Sequence, residues 1–293
     1  MNLALTVLEI TAPVFALAVI GYVWVRTGHD YNIEFVTRLA MTLSVPCLIF
    51  TALMKTKVDP AALTALSMGA MAAYGAVTIV AFAMVKLMRL EVRTYLAPII
   101  FGNTGNIGLP LAMFAYGDEG LGYAVVVFAI MAIWSFTFGI WLVSGGGSLT
   151  KVVKEPLVAA TILGGIFLWQ GWETPRVITN TLTLIGQMAI PLMLITLGVA
   201  VARLTPGRIG QAIWISVLKL AICVGVAWGI GIWLELGPIP LAVLVLQVST
   251  PVAVTSYLLA TKYGADSDAV AGLVVVSTLL SVLAIPLLLA VLL

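Results

Sequence analysis

The sequence predicts an all-α polytopic membrane protein: ten transmembrane helices in two inverted five-helix repeats, with the fourth and ninth helices broken where they cross. Three observations predict it. Hydrophobic residues make up 62% of the 293 and charged residues only 9%, with a mean hydropathy of +1.18, whereas a soluble domain carries about a quarter charged residues. The apolar runs are long enough to cross a bilayer, at about 20 residues each. Finally, corresponding spans of the two halves share the same punctuation.

The spans run over Leu3 to Val25, Ile33 to Met54, Ala61 to Leu87, Tyr95 to Tyr116 and Leu121 to Val143, then Pro156 to Trp172, Val177 to Ala202, Ile209 to Leu234, Ile239 to Thr261 and Ala269 to Leu293. The first run lacks a basic leader and exceeds a signal peptide's apolar core, so it reads as a span. The tenth reaches the last residue, so no C-terminal tail is expected. Short loops make neighbouring helices antiparallel. Loops after odd-numbered spans hold ten Lys and Arg, including Arg26, Arg93, Lys151, Lys154, Arg203 and Lys262; the even-numbered loops hold three, Lys55, Lys57 and Arg176. Cations stay on the cytoplasmic side, so the odd loops are cytoplasmic and both termini face outward.

Pro13 matches Pro156 at an offset of 143 residues, Ser44-Val45-Pro46 matches Ala189-Ile190-Pro191 at 145, and Tyr116-Gly117 matches Tyr263-Gly264 at 147. Each half has an odd number of spans, so the second crosses in the opposite sense. Inverted repeats of this kind build secondary transporters, whose ligands bind near the midplane at discontinuous helices.

The fourth span cannot run unbroken. It reads Gly102-Asn103-Thr104-Gly105-Asn106-Ile107-Gly108-Leu109-Pro110, where glycine weakens a helix and proline removes a donor. The ninth holds Gln247-Val248-Ser249-Thr250-Pro251 and then Thr255-Ser256. Opened backbone in hydrocarbon is tolerated only when buried in protein or lining a wet cavity. The start of a half-helix carries bare N–H groups and partial positive charge, so two such ends favour a carboxylate. The candidate substrate-binding set is therefore Asn103, Thr104, Gly105, Asn106, Pro110, Gln247, Ser249, Thr250, Pro251, Thr255 and Lys219. A second reading of the amides and hydroxyls is that they only satisfy backbone opened by Gly and Pro.

Lys219 is the one basic residue well inside a span. Its charge is costly there. It reads as a cation drawing anions inward, as a replacement for a coupling cation, or as a side chain snorkelling to the cytoplasmic face.

No Asp or Glu lies deep in spans two to ten, and Glu9 sits near the outer face of span one. Uniport, or sodium coupling through neutral oxygen ligands, is therefore expected over carboxylate-based proton exchange. Cys47 and Cys223 lie in apolar runs and read as small hydrophobes; His29 reads as a loop residue. No HExxH motif, deep carboxylate pair or Ser–Lys dyad points to an enzyme, and no resident metal or cofactor is expected. A net charge of +2 without a basic tail argues against a nucleic-acid partner.

The run Asn103 to Leu111 followed by Tyr116-Gly117 resembles the fourth-span motif of the auxin efflux carrier family. Thr196-Leu197-Gly198 ending in Leu204-Thr205-Pro206, and Thr250-Pro251 through Ala260-Thr261-Lys262-Tyr263-Gly264, are similar to that family's seventh and ninth spans. The resemblance covers the full chain and points to a bacterial permease-like member. It implies an architecture like that of sodium/proton antiporters and bile-acid transporters. Scaffold helices would occupy residues 1–59 and 146–205, and a mobile transport domain residues 60–145 and 206–293. It further implies elevator-type transport of a small organic anion, malonate-, malate- or auxin-like, a homodimer through the scaffold helices, and a multi-pass place in the bacterial inner membrane. A sodium-coupled symporter of the bile-acid-transporter type and a non-transporting receptor stand as alternatives. Plant members carry a further proline where this chain has Ser256, so Pro251 and nearby hydroxyls are expected to open the second break. They also carry a long central loop, here reduced to Ser144 to Glu155, so regulation through it is not expected.

Overall fold

The computed structural model describes residues 3–55, 60–144 and 156–293. Lys57, Lys151 and Lys154, and most of the joint between the halves, lie outside the described residues. Among the described residues the regular secondary structure is all helix, apart from one isolated backbone bridge.

The first half contains α1 (Leu3–Arg26), α2 (Ile33–Lys55), α3 (Pro60–Leu87), α4 (Val92–Ile100) and α5 (Thr104–Ser144). The second contains α6 (Pro156–Gln170), α7 (Arg176–Arg203), α8 (Ile209–Trp233), α9 (Pro238–Val248), α10 (Val254–Tyr263) and α11 (Ser267–Leu292). Seven of these helices are long and apolar enough to cross a bilayer unaided. The pairs α4 with the start of α5, and α9 with α10, are pieces too short to do so alone.

The boundary between spans four and five is a tight bend. The second part of span four and span five follow one another within α5 and are separated at Gly117, whose backbone is non-helical with φ +62° and ψ −150°. Gly264, its counterpart, has a φ of +71° and ends α10. Only glycine adopts this left-handed backbone at little steric cost, so the matched Tyr-Gly pairs mark matched bends. The other matched signal behaves alike. A π-type turn over Ala40–Ser44 precedes Pro46 in α2, and a break at Met188 precedes Pro191 in α7, because a proline strips its own turn of a donor.

Helix pairing is reciprocal. The second part of α7 packs along α1, and the second part of α2 packs along α6. Without a hydrophobic drive between helices in lipid, close backbone approach over small residues holds such pairs. A Cβ on Gly21 would lie 2.0 Å from the Ile195 carbonyl oxygen, and one on Gly198 would lie 1.7 Å from that of Ala18. In the other pair, a Cβ on Gly164 would meet the Phe50 Cα at 3.3 Å. Gly164 is Gly21 shifted by 143 residues, and Ile195 is Phe50 shifted by 145, so the two contacts use matched positions.

The remaining helices form a second group in which α3, α9 and α11 pack around α8, and α9 also packs on α5. One end of this group is tied by polar contacts. Arg208 pairs with Asp266 at 2.8 Å, Tyr95 donates to the Gln211 carboxamide at 2.8 Å, and Arg93 donates to the carbonyls of Val143 and Tyr263 at 3.0 Å.

Candidate functional site

The two interrupted spans meet. After α4 the chain turns extended at Phe101, and after α9 it leaves helical geometry from Ser249 to Ala253. Gly102 and Val252 form an antiparallel bridge. The Asn103 N–H donates to the Pro251 carbonyl at 2.7 Å, and the Ala253 N–H donates to that of Phe101 at 3.4 Å. The approach depends on Gly102, because a Cβ there would lie 2.2 Å from Thr250 Oγ1. Each break thus satisfies backbone that the other exposes, as buried opened chain must.

Beyond the breaks, α5 restarts at Thr104 and α10 at Val254. A helix's first-turn N–H groups have no acceptor within it. Both first turns open into one cavity, lined by Gly105 and Asn106 from α5 and by Val254 and Thr255 from α10. Its empty space, open mouth included, is about 920 Å³. Thr37 and Met41 from α2 and Met193 and Thr196 from α7 also line it, so the cavity lies where α2 and α7 meet α5 and α10.

Asn103 lines this cavity, is 5% exposed, and leaves its Nδ2 donor without a partner. Asn106 is half-buried and Thr255 exposed on the same wall. Thr196 is held by Tyr31, whose hydroxyl lies 2.8 Å from the threonine's. Burial pushes the Tyr31 phenol above its ordinary pKa more than the Thr196 bond lowers it, so this hydroxyl stays protonated at neutral pH.

The other sequence-predicted residues lie elsewhere. Thr104 is fully buried, Pro110 sits in the first turn after a π-type turn, and neither faces the cavity. Gln247 is fully buried, and its carboxamide packs on Gly108 so closely that a Cβ there would be 2.2 Å from Oε1. Ser249, Thr250, Pro251 and Lys219 line a separate cavity on the far side of the crossing, between α8 and α11. There Lys219 Nζ donates to the Thr250 carbonyl at 2.9 Å, Ser277 Oγ accepts from the Val252 N–H at 2.9 Å, and Thr250 Oγ1 donates to the Gln247 carbonyl at 2.8 Å. Lys219 is 2% exposed, which excludes the snorkelling reading in this conformation. The cavity residues Thr37, Phe128, Met131 and Ser135 went unread in the sequence; hydroxyls on otherwise apolar spans were the only signal.

Two stretches of the chain, residues 6–148 and 140–289, match the family described as Membrane transport protein. An uncharacterized transporter of Methanothermobacter thermautotrophicus is 32% identical over 192 residues, 63% of this chain and 63% of that protein. One of Methanocaldococcus jannaschii is 26% identical over 199 residues, 64% of each. A Rhizobium meliloti protein whose name proposes malonate transport is 23% identical over 198 residues, 62% of this chain and 61% of that protein. The matches thus span just under two thirds of these relatives' lengths.

Proposed function

Because this chain belongs to the membrane transport protein family, we propose that it is a secondary carrier of a small organic anion, a carboxylate of the malonate, malate or auxin kind. The observation that carries this reading is the pair of half-helix starts, at Thr104 and Val254, opening into one cavity beside the unpartnered Asn103 amide. Bare N–H groups with partial positive charge suit a carboxylate. Asn103, Asn106 and Thr255 add donors, while Phe128 and Met131 offer an apolar wall to the rest of the ligand. Gly105 lets the ligand approach backbone, Pro251 holds the two breaks together and Thr250 braces the second, and Thr104, Pro110, Gln247 and Ser249 stand behind them, off the cavity.

The carrier works by elevator-type alternating access. The α1, α2, α6 and α7 helices (residues 1–59 and 146–205) form the scaffold, a homodimer through those helices. Residues 60–145 and 206–293 move. Reciprocal packing of α1 with α7 and α2 with α6 at matched glycines supports ten spans in two inverted repeats. Charge bias between the loops supports a place in the inner membrane with both termini outside. The family is one of transport, not of enzymes.

Uptake of radiolabelled malonate into proteoliposomes tests the reading, malonate being the first probe because one relative's name points to it. Saturable uptake, accelerated by unlabelled malonate inside, is expected. Uptake that rises linearly without exchange marks a channel. Stabilisation by carboxylates without any uptake marks a receptor.

A further inference from the structure

The geometry points to Lys219 as a built-in cation, standing at the second break where carriers of broken-helix architecture hold a coupling ion, so that this chain moves its anion without sodium. The inference deepens the carrier reading above and rests on it for the transport step alone.

The cavity that Lys219 lines is separate from the one assigned to the substrate. It lies between α8 and α11, with an empty space of about 410 Å³, mouth included. The helix α9 ends at Val248, so its C-terminal carbonyls and the unwound carbonyl of Thr250 gather partial negative charge here. Unwound carbonyls and half-helix C-terminal ends are what coordinate Na⁺ or H⁺ in transporters with discontinuous helices. In this chain the Thr250 carbonyl already accepts from Lys219 Nζ at 2.9 Å.

Two further oxygens face the same space. Ser216, one turn before Lys219, and Ser249 are each less than a tenth exposed, and both hydroxyls lack a partner. Carbonyl plus hydroxyl is a donor set for a small hard cation, yet an ammonium sits among them. Among the described residues no carboxylate pairs with Lys219. Its ammonium is met by the Thr250 carbonyl dipole and, at 3.8 Å, by Cys223 Sγ, with no full negative charge beside it. A second monovalent cation in the same space would be repelled across a few ångströms of low dielectric.

The test compares melting temperatures of the purified full chain in detergent, in sodium chloride and in choline chloride at equal ionic strength. A ligand bound only by the folded state raises the melting temperature. The wild-type chain is expected to melt alike in both salts. Lys219→Ala frees the oxygens and is expected to gain a saturable, sodium-specific rise of several degrees. Lys219→Met fills the space without charge and is expected to gain none. Lys219→Gln serves as the second variant should Lys219→Ala not fold.

Sodium-specific stabilisation of the wild-type chain would overturn the assignment. So would folded Lys219→Ala and Lys219→Gln proteins that are both indifferent to sodium. If neither variant folds, wild-type malonate uptake decides: equal rates in sodium and choline support it, and stimulation by sodium overturns it. The melting arm needs no substrate, so it reads Lys219 even if malonate is not carried. Sodium-stimulated uptake would end this inference while leaving the carrier reading intact.

Discussion

The two breaks at the crossing are built differently. The first is short: α4 ends at Ile100 and α5 restarts at Thr104, and its exposed backbone is satisfied by the other break, through Asn103 to Pro251 and Phe101 from Ala253. The second, between Val248 and Val254, is longer and is braced by side chains: Lys219 on the Thr250 carbonyl, Ser277 on the Val252 N–H and Thr250 Oγ1 on the Gln247 carbonyl. The first break therefore leaves its own amide, Asn103 Nδ2, unspent beside a cavity. The second spends Thr250 Oγ1 and two backbone groups on holding shape, while Ser249 Oγ and the Gln247 carboxamide beside them stay unpartnered away from that cavity. A polar group left without a partner in a buried site is costly, and of these groups Asn103 Nδ2 belongs to the residue that lines the cavity shared by the two half-helix starts, so the carried ligand is expected there.

Four changes would break or sharpen that contrast. Gly102→Val should have the largest effect, because a side chain there collides with Thr250 and parts the two breaks. Loss of both monodisperse protein and malonate uptake is expected, and a stable, active variant would show that the breaks need not touch. Asn103→Ala should lower uptake by roughly 10–100-fold, the worth of a hydrogen bond to a charged group, while the melting temperature stays close to wild type. Uptake unchanged in well-folded Asn103→Ala protein would remove it from the site.

Ser277→Ala should show the opposite pattern. It orphans the Val252 N–H, a loss of about 1–3 kcal/mol, visible as a lower melting temperature with the malonate KM nearly unchanged. A raised KM at unaltered stability would move the second break onto the ligand. Thr255→Ala is expected to be mildest, a few-fold rise in KM with no loss of stability, since the residue is exposed on the cavity wall. A drop as large as that for Asn103→Ala would shift the ligand's anchor to α10.

Much of this was legible in the sequence for a physical reason. Hydrocarbon forces every backbone group to be satisfied within the protein, so runs of apolar residues mean helix, and Gly, Pro and Asn clusters mean a break. Tyr116-Gly117 and Tyr263-Gly264 were readable as a repeat because positive φ selects glycine. The partners of long side chains were not readable. Gln247 and Asn103 both carry amides inside broken spans, yet one packs under Gly108 and the other faces a cavity. That difference depends on rotation of a half-helix against its neighbours.

The sequence by itself determined that the chain is membrane-embedded and helical, where its spans are interrupted, and that its halves share punctuation, because each follows from local composition and backbone sterics. Only the tertiary structure decided that the interruptions bridge each other, that Asn103 and Thr255 share a cavity while Thr250 and Lys219 share another, and that Lys219 turns to a carbonyl instead of to water. Those outcomes rest on contacts between residues as far apart as Gly102 and Val252, and the packing of helices, which carries no signature along the chain, sets them.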